Sequence, residues 1–140
     1  SSTVRSILIG SIGGVFCSVI VALVTQYLNI GIRVEMEVMP LDTLIIFLSM
    51  LAVGFSEEFV FRGFLQQSLT LRFGFWKALL LSSVIFALVH VDIYTMPVIF
   101  ILGILLGIVY EKSERTLIAP MIFHALYNTF QVIFPFLFAY

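Results

Sequence analysis

Two adjacent glutamates, Glu57 and Glu58, with Arg62 four residues after the second, interrupt an otherwise apolar stretch, GFSEEFVFRGFLQQ from Gly54 to Gln67. A carboxylate at mid-helix in a bilayer costs about 2.5–3.5 kcal/mol on insertion scales, so a pair of them calls for a reason, and the default reason is function. On a helix, Glu58 and Arg62 are neighbours in the favourable order, acid before base, so Arg62 can neutralise Glu58 and hold it in place. That leaves Glu57 without a counter-charge. A spare carboxylate in a low-dielectric site is suited to taking up a proton, the task of a general base. An internal ion pair that only fastens helices together would also put acids and a base here; the excess of one acid is what such a role does not explain.

Three more polar side chains stand inside apolar runs: His90, His124 and Asn128. The spacing of His124 and Asn128 puts imidazole and amide on one helical face, where both could donate to one developing oxyanion. The same spacing sets Phe86 against His90, where the ring can fix the orientation of the imidazole. Peptide hydrolysis needs a base to take a proton from water, donors for the tetrahedral oxyanion and a proton for the departing amine. Glu57 with His90, then His124 with Asn128, could supply all of these. No Ser or Cys is comparably furnished; Ser56, Ser82 and Ser83 are expected to hydrogen-bond preceding carbonyls in their helices. The alternative is a catalytic zinc on Glu57, His90 and His124 with water in the fourth position. The HExxH helix is absent, however, and a ligating Glu57 would leave the base role to Glu58, which Arg62 already occupies. The favoured site is therefore free of metal and other cofactors.

The elements that must position these groups are membrane spans. With 140 residues, 61% hydrophobic and 11% charged, and a mean hydropathy of +1.18, the chain reads as an integral membrane protein in contact with lipid over most of its length. Its apolar segments are long, not short alternating blocks, which gives an all-α bundle and not a barrel. The length fits a single membrane domain, residues 1–140, of about five spans. A net charge of −1 and the lack of a basic run argue against a nucleic-acid partner. Cys17 is the only cysteine, so no intrachain disulfide can form.

Span one runs from about Val4 to Leu28 and is too long for the apolar region of a secretory signal; the chain opens on Ser1 and not Met, which points to residues upstream. Residues Asn29 to Pro40 form a polar connector carrying Arg33, Glu35 and Glu37. Span two runs from Leu41 to about Phe61. The stretch Gly63 to Phe73 mixes Gln66, Gln67, Ser68, Thr70 and Arg72 with Phe64, Leu65, Leu69 and Leu71, a pattern that predicts an amphipathic segment at the interface. Span three covers about Trp76 to Val91 and span four about Met96 to Tyr110. At about 24 Å each against a core of about 30 Å, they need not cross fully, and a recessed turn would leave a wet hollow beside His90 and Asp92. Gly103 and Gly107 form a small-residue packing face. Span five runs from about Leu117 to Tyr140.

Arg5, Arg72, Lys77, Lys112 and Arg115 fall on one side of such a bundle and Arg33 alone among the bases on the other, which predicts a cytoplasmic N-terminus. Counting along the helices sets Glu57 about 24 Å from the outer face and His124 about 11 Å from the inner one, levels that agree. His90 comes out about 21 Å from the inner face, which requires a tilted or recessed third span.

The blocks EEFVFRGFLQ, SSVIFALVH and GILLGIVYEKSERTLIAPMIFHALYN, in this order, resemble the three signature blocks of the CPBP family, named for CAAX proteases and bacteriocin-processing enzymes and also called the Abi family. The resemblance covers roughly Leu41 to Phe130. It implies that Glu57 is the catalytic carboxylate, that Glu58 and Arg62 support it, that His90 helps to activate water, and that His124 and Asn128 form the oxyanion site. It further implies an intramembrane endopeptidase acting on a membrane-held or lipid-modified peptide or protein. Members often have more spans than this chain. The family has also been classed with metalloproteases, and some members serve as non-catalytic scaffolds or regulators of another membrane protein, which is the alternative reading for this chain.

Overall fold

A computed structural model describes residues 2–27 and 40–137. Those residues form helices and turns, with no strand among them. The order is α1 (Ser2–Tyr27), α2 (Pro40–Glu58), a π-helical segment (Phe59–Gln66), α3 (Gln67–Phe73), α4 (Phe75–Leu88), α5 (Met96–Lys112) and α6 (Ile118–Leu137). The polar connector and the last residues of span five lie outside the described residues. Among the described residues, two helices, Ser2–Val24 and Leu44–Phe73, are long and apolar enough to cross a membrane.

Lipid tails are as apolar as leucine, so close packing and not the hydrophobic effect joins helices in a bilayer. Helix α1 meets that requirement with small residues against α6. A Cβ on Gly10 would fall on the Ala119 carbonyl, and one on Gly14 would lie 2.8 Å from the Phe123 carbonyl oxygen. At the rim of this contact the Ser6 and Thr116 hydroxyls are 3.0 Å apart. The other flank of α1, with Val4, Leu8, Ile12, Phe16 and Leu23, is exposed as a lipid-facing surface would be.

Pro40 opens α2, a position that has no use for the missing N–H, and Asp42 follows in the first turn where a negative charge suits the helix dipole. The helix does not end near Phe61. It continues through the π segment into α3, so the stretch expected at the interface is the end of the same rod. Gln66 corrects the amphipathic reading: it is buried and its amide donates to the Gly107 carbonyl at 3.2 Å. The rod stops at Gly74, whose φ of 79° suits a residue without a Cβ.

Helix α4 has 14 residues, about 21 Å, and so stops short of a full crossing. It returns through residues 89–95 into α5, with Gly103 close against Ser83. Between α5 and α6, Arg115 donates twice to Glu111 at 3.0 Å, and Arg5 of α1 lies 3.5 Å from Glu114. The apolar centre is built by Phe61, Phe86, Leu102, Leu106 and Phe123 with Cys17. We expect Gly10→Leu to force α1 off α6 and to cost about 1–3 kcal/mol; thermal unfolding in detergent would register it as a lower midpoint, whereas Leu8→Ala on the exposed flank should leave the midpoint within a degree or two.

Candidate active site

The polar centre starts with Glu58 and Arg62, whose side chains are 0% and 2% exposed. The Arg62 Nε lies 3.2 Å from Glu58 Oε2 across one helical turn, as the spacing predicts. A guanidinium has donors to spare, and here Nη2 donates to the Gly103 carbonyl of α5 at 2.8 Å while the plane sits 4.7 Å over the Phe86 ring. Glycine at position 103 therefore does more than pack: it lets α5 come close enough for its backbone to share the buried charge.

Glu58 has a second partner that the spacing of residues did not reveal. Its Oε1 is 2.8 Å from Nδ1 of His124 on α6. Because a carboxylate only accepts, Nδ1 carries the proton, and the lone pair of a neutral His124 points from Nε2. That Nε2 lies 3.6 Å from Glu57 Oε2. The two consecutive glutamates thus address the two nitrogens of one imidazole, which is itself 3% exposed.

His90 arrives from the opposite side. Its Nδ1 is 2.7 Å from the Phe86 carbonyl, which fixes Nδ1–H as donor and turns Nε2 towards Glu57 Oε1 at 3.9 Å. The Phe86 ring packs edge-on to both imidazoles, with centroids 4.8 Å from His90 and 5.9 Å from His124. His90 meets Glu57 from the turn that follows α4, which ends at Leu88. Val91 sits at φ 61°, a costly conformation for a β-branched residue, of order 1–3 kcal/mol, and one that a glycine would usually fill after a helix. Asp92 ties the turn down, accepting from Tyr94 N at 3.0 Å and from the Thr95 hydroxyl at 3.1 Å.

Glu57, His90 and His124 therefore converge, while Asn128 is differently engaged. Its Nδ2 lies 3.3 Å from the Met50 carbonyl, where α2 passes closely at Gly54. Ser56, Ser82 and Ser83 hydrogen-bond carbonyls of their own helices, as expected. The donor types at Glu57, His90 and His124 are those of a zinc site, yet among the described residues no group of three His, Cys, Asp or Glu side chains is arranged to hold a metal ion. Glu57 and His90 are a quarter exposed, at 25% and 28%, and His124 is sealed, so the cluster opens to one side. Both carboxylate oxygens of Glu57 stand just beyond direct hydrogen-bonding distance of an imidazole nitrogen, and a water between them would have an acceptor for each of its protons.

A family model described as type II CAAX prenyl endopeptidase Rce1-like matches residues 39–130, which include every side chain of this cluster. The chain belongs to the Rce1-like family. Two curated relatives agree with it. This Rce1-like chain is 31% identical over 98 residues to "Putative membrane peptidase YdiL" of Bacillus subtilis, a match covering 70% of the chain and 40% of the relative. It is 38% identical over 87 residues to "Membrane-embedded CAAX protease MroQ" of Staphylococcus aureus, covering 58% and 35%. The chain thus spans less than half the length of these relatives. No solved structure is significantly similar to it.

Removing one member of the buried ion pair strands the other. We expect Arg62→Met to destabilise the fold by about 3–5 kcal/mol, and the double change Glu58→Gln with Arg62→Met to recover part of that loss; thermal unfolding of the three proteins in the same detergent is the measurement.

Proposed function

We propose that this chain is the catalytic core of a membrane protease that uses a water held by Glu57 and His90 to hydrolyse a peptide bond. The observation that carries the reading is the placement of one carboxylate, Glu57, against two imidazole Nε2 atoms of fixed tautomer, at 3.6 and 3.9 Å. One water proton goes to the Glu57 carboxylate, the other is held by His90 Nε2, and the water oxygen forms the new bond to the scissile carbonyl carbon. The oxyanion of the tetrahedral intermediate is met by Asn128 Nδ2 once it exchanges the Met50 carbonyl for the substrate, and by His124 in its imidazolium form, in which Nδ1–H stays on Glu58 and an added proton on Nε2 makes that nitrogen a donor. Collapse breaks the C–N bond as the proton held by Glu57 passes to the amine, leaving acid and amine products. Glu58 and Arg62 act at one remove, with Glu58 holding the His124 ring and Arg62 holding Glu58.

The substrate is a membrane-held or lipid-modified peptide or protein, in keeping with a family whose description names prenyl endopeptidases and a relative named as a CAAX protease. The reaction is metal-independent, because the base role and the ligand role compete for Glu57. The basic connectors put the N-terminus on the cytoplasmic side.

With purified protein and a panel of membrane-anchored peptides, Glu57→Gln, His90→Ala and His124→Ala are each expected to lower turnover by at least about 100-fold, and Asn128→Ala by about 100- to 1000-fold. Cleavage that survives Glu57→Gln would sink the mechanism. An absence of cleavage in every case, with binding to a membrane-protein partner unchanged across the variants, would instead favour a scaffold. Prolonged treatment with a strong chelator should leave the rate unchanged; a loss restored by added zinc would replace the water mechanism by a metal one on Glu57, His90 and His124.

A further inference from the structure

Gln66 lies outside the converging cluster, yet it is 1% exposed in a helix that elsewhere turns apolar side chains to lipid. Burying an amide without full satisfaction is costly. The Gln66 Oε1 has no hydrogen-bond partner among the described residues, and neither has Arg62 Nη1. What Gln66 does make is one bond, Nε2 to the Gly107 carbonyl at 3.2 Å, four residues along α5 from the bond that Arg62 makes to Gly103 at 2.8 Å. The two rungs have matching spacing on both helices. The second is possible because position 107 is glycine: a Cβ there would lie 2.6 Å from Gln66 Oε1 and would also strike Leu79.

These rungs fall on the π segment, Phe59–Gln66, which begins at the residue after Glu58. A π hydrogen bond spans one residue more than an α bond, and runs of it are rare. If the segment relaxed to an α-helix, Glu57 and Glu58 would swing relative to α3 by on the order of 100° for each residue taken up. We infer that Gln66 is a positioning residue: with Arg62 it pins the π segment to the Gly103 and Gly107 carbonyls and so sets the rotation at which Glu57 faces the two histidines. This inference rests on the water mechanism only for its activity readout.

The test compares Gln66→Leu, of similar size but unable to form the rung, with Gly107→Ala, which displaces the amide while keeping it. Turnover of a cleaved membrane-anchored fluorogenic peptide is expected to fall about 10- to 100-fold in each, with KM within twofold and the melting temperature unchanged or raised for Gln66→Leu. The double variant should be no worse than the weaker single one. A rotation readout needs no substrate: in a Cys17→Ser background, a nitroxide at Phe59 should change its oxygen accessibility when Gln66→Leu is introduced, while one at Leu71 should not. Full turnover in Gln66→Leu beside an inactive Glu57→Gln would overturn the inference and leave the protease reading intact. So would a turnover loss matched by a loss of folded protein. Should Glu57→Gln itself prove fully active, the protease reading falls, and the Phe59 label alone decides the role of Gln66.

Discussion

A charge buried where water cannot follow must be shared out among partners, and in this protein the carboxylate of Glu58 imposes that constraint on everything around it. Arg62 supplies the opposite charge, but a guanidinium needs more acceptors than one carboxylate offers. The remainder of its demand reaches α5, and α5 can answer only through backbone carbonyls brought near by glycine. On its other oxygen Glu58 accepts a hydrogen bond from His124, and so ties α6 to α2. Three helices are thus located by the needs of one ion pair, and hydrocarbon packing fills the space that those needs leave.

From this follows the division of labour between neighbours in sequence. Successive residues on a helix point about 100° apart, so Glu57 and Glu58 cannot serve the same surroundings. The buried one is fully committed to structure, while the other is partly exposed and faces two imidazoles held by other contacts. The orientation of those rings is set elsewhere: His124 by Glu58, His90 by the carbonyl of Phe86. Each imidazole is therefore held by a group of a fully buried residue.

Much of this arrangement was legible in the sequence because polar residues in a lipid-facing chain are few and their spacing on a helix is rigid. The Glu58 to Arg62 pairing and the idle serines followed from period alone, and the convergence of Glu57, His90 and His124 was expected from their cost inside apolar runs and from the family resemblance. The parts that stayed hidden depend on how helices rotate against one another. Gln66 reads as one more polar residue in an amphipathic stretch, since nothing local says that the rod continues past Phe61 in π form. Gly103 and Gly107 read as packing residues because a backbone carbonyl leaves no mark in a sequence. Asn128 sits one turn from His124 as the spacing requires, but its amide turns to the Met50 carbonyl, a contact between residues 78 apart. Nor does the sequence show the left-handed turn at Val91, beside which His90 meets Glu57.

The unequal exposure of the three converging side chains has a geometric corollary. With His124 sealed and only Glu57 and His90 partly exposed, anything that meets all three must approach from the one open side. A carbonyl inside an intact helix is already bonded to an amide one turn on and is sheathed by side chains. For the function proposed above, a carbonyl in extended peptide would therefore be open to Glu57 where one inside an intact helix is not.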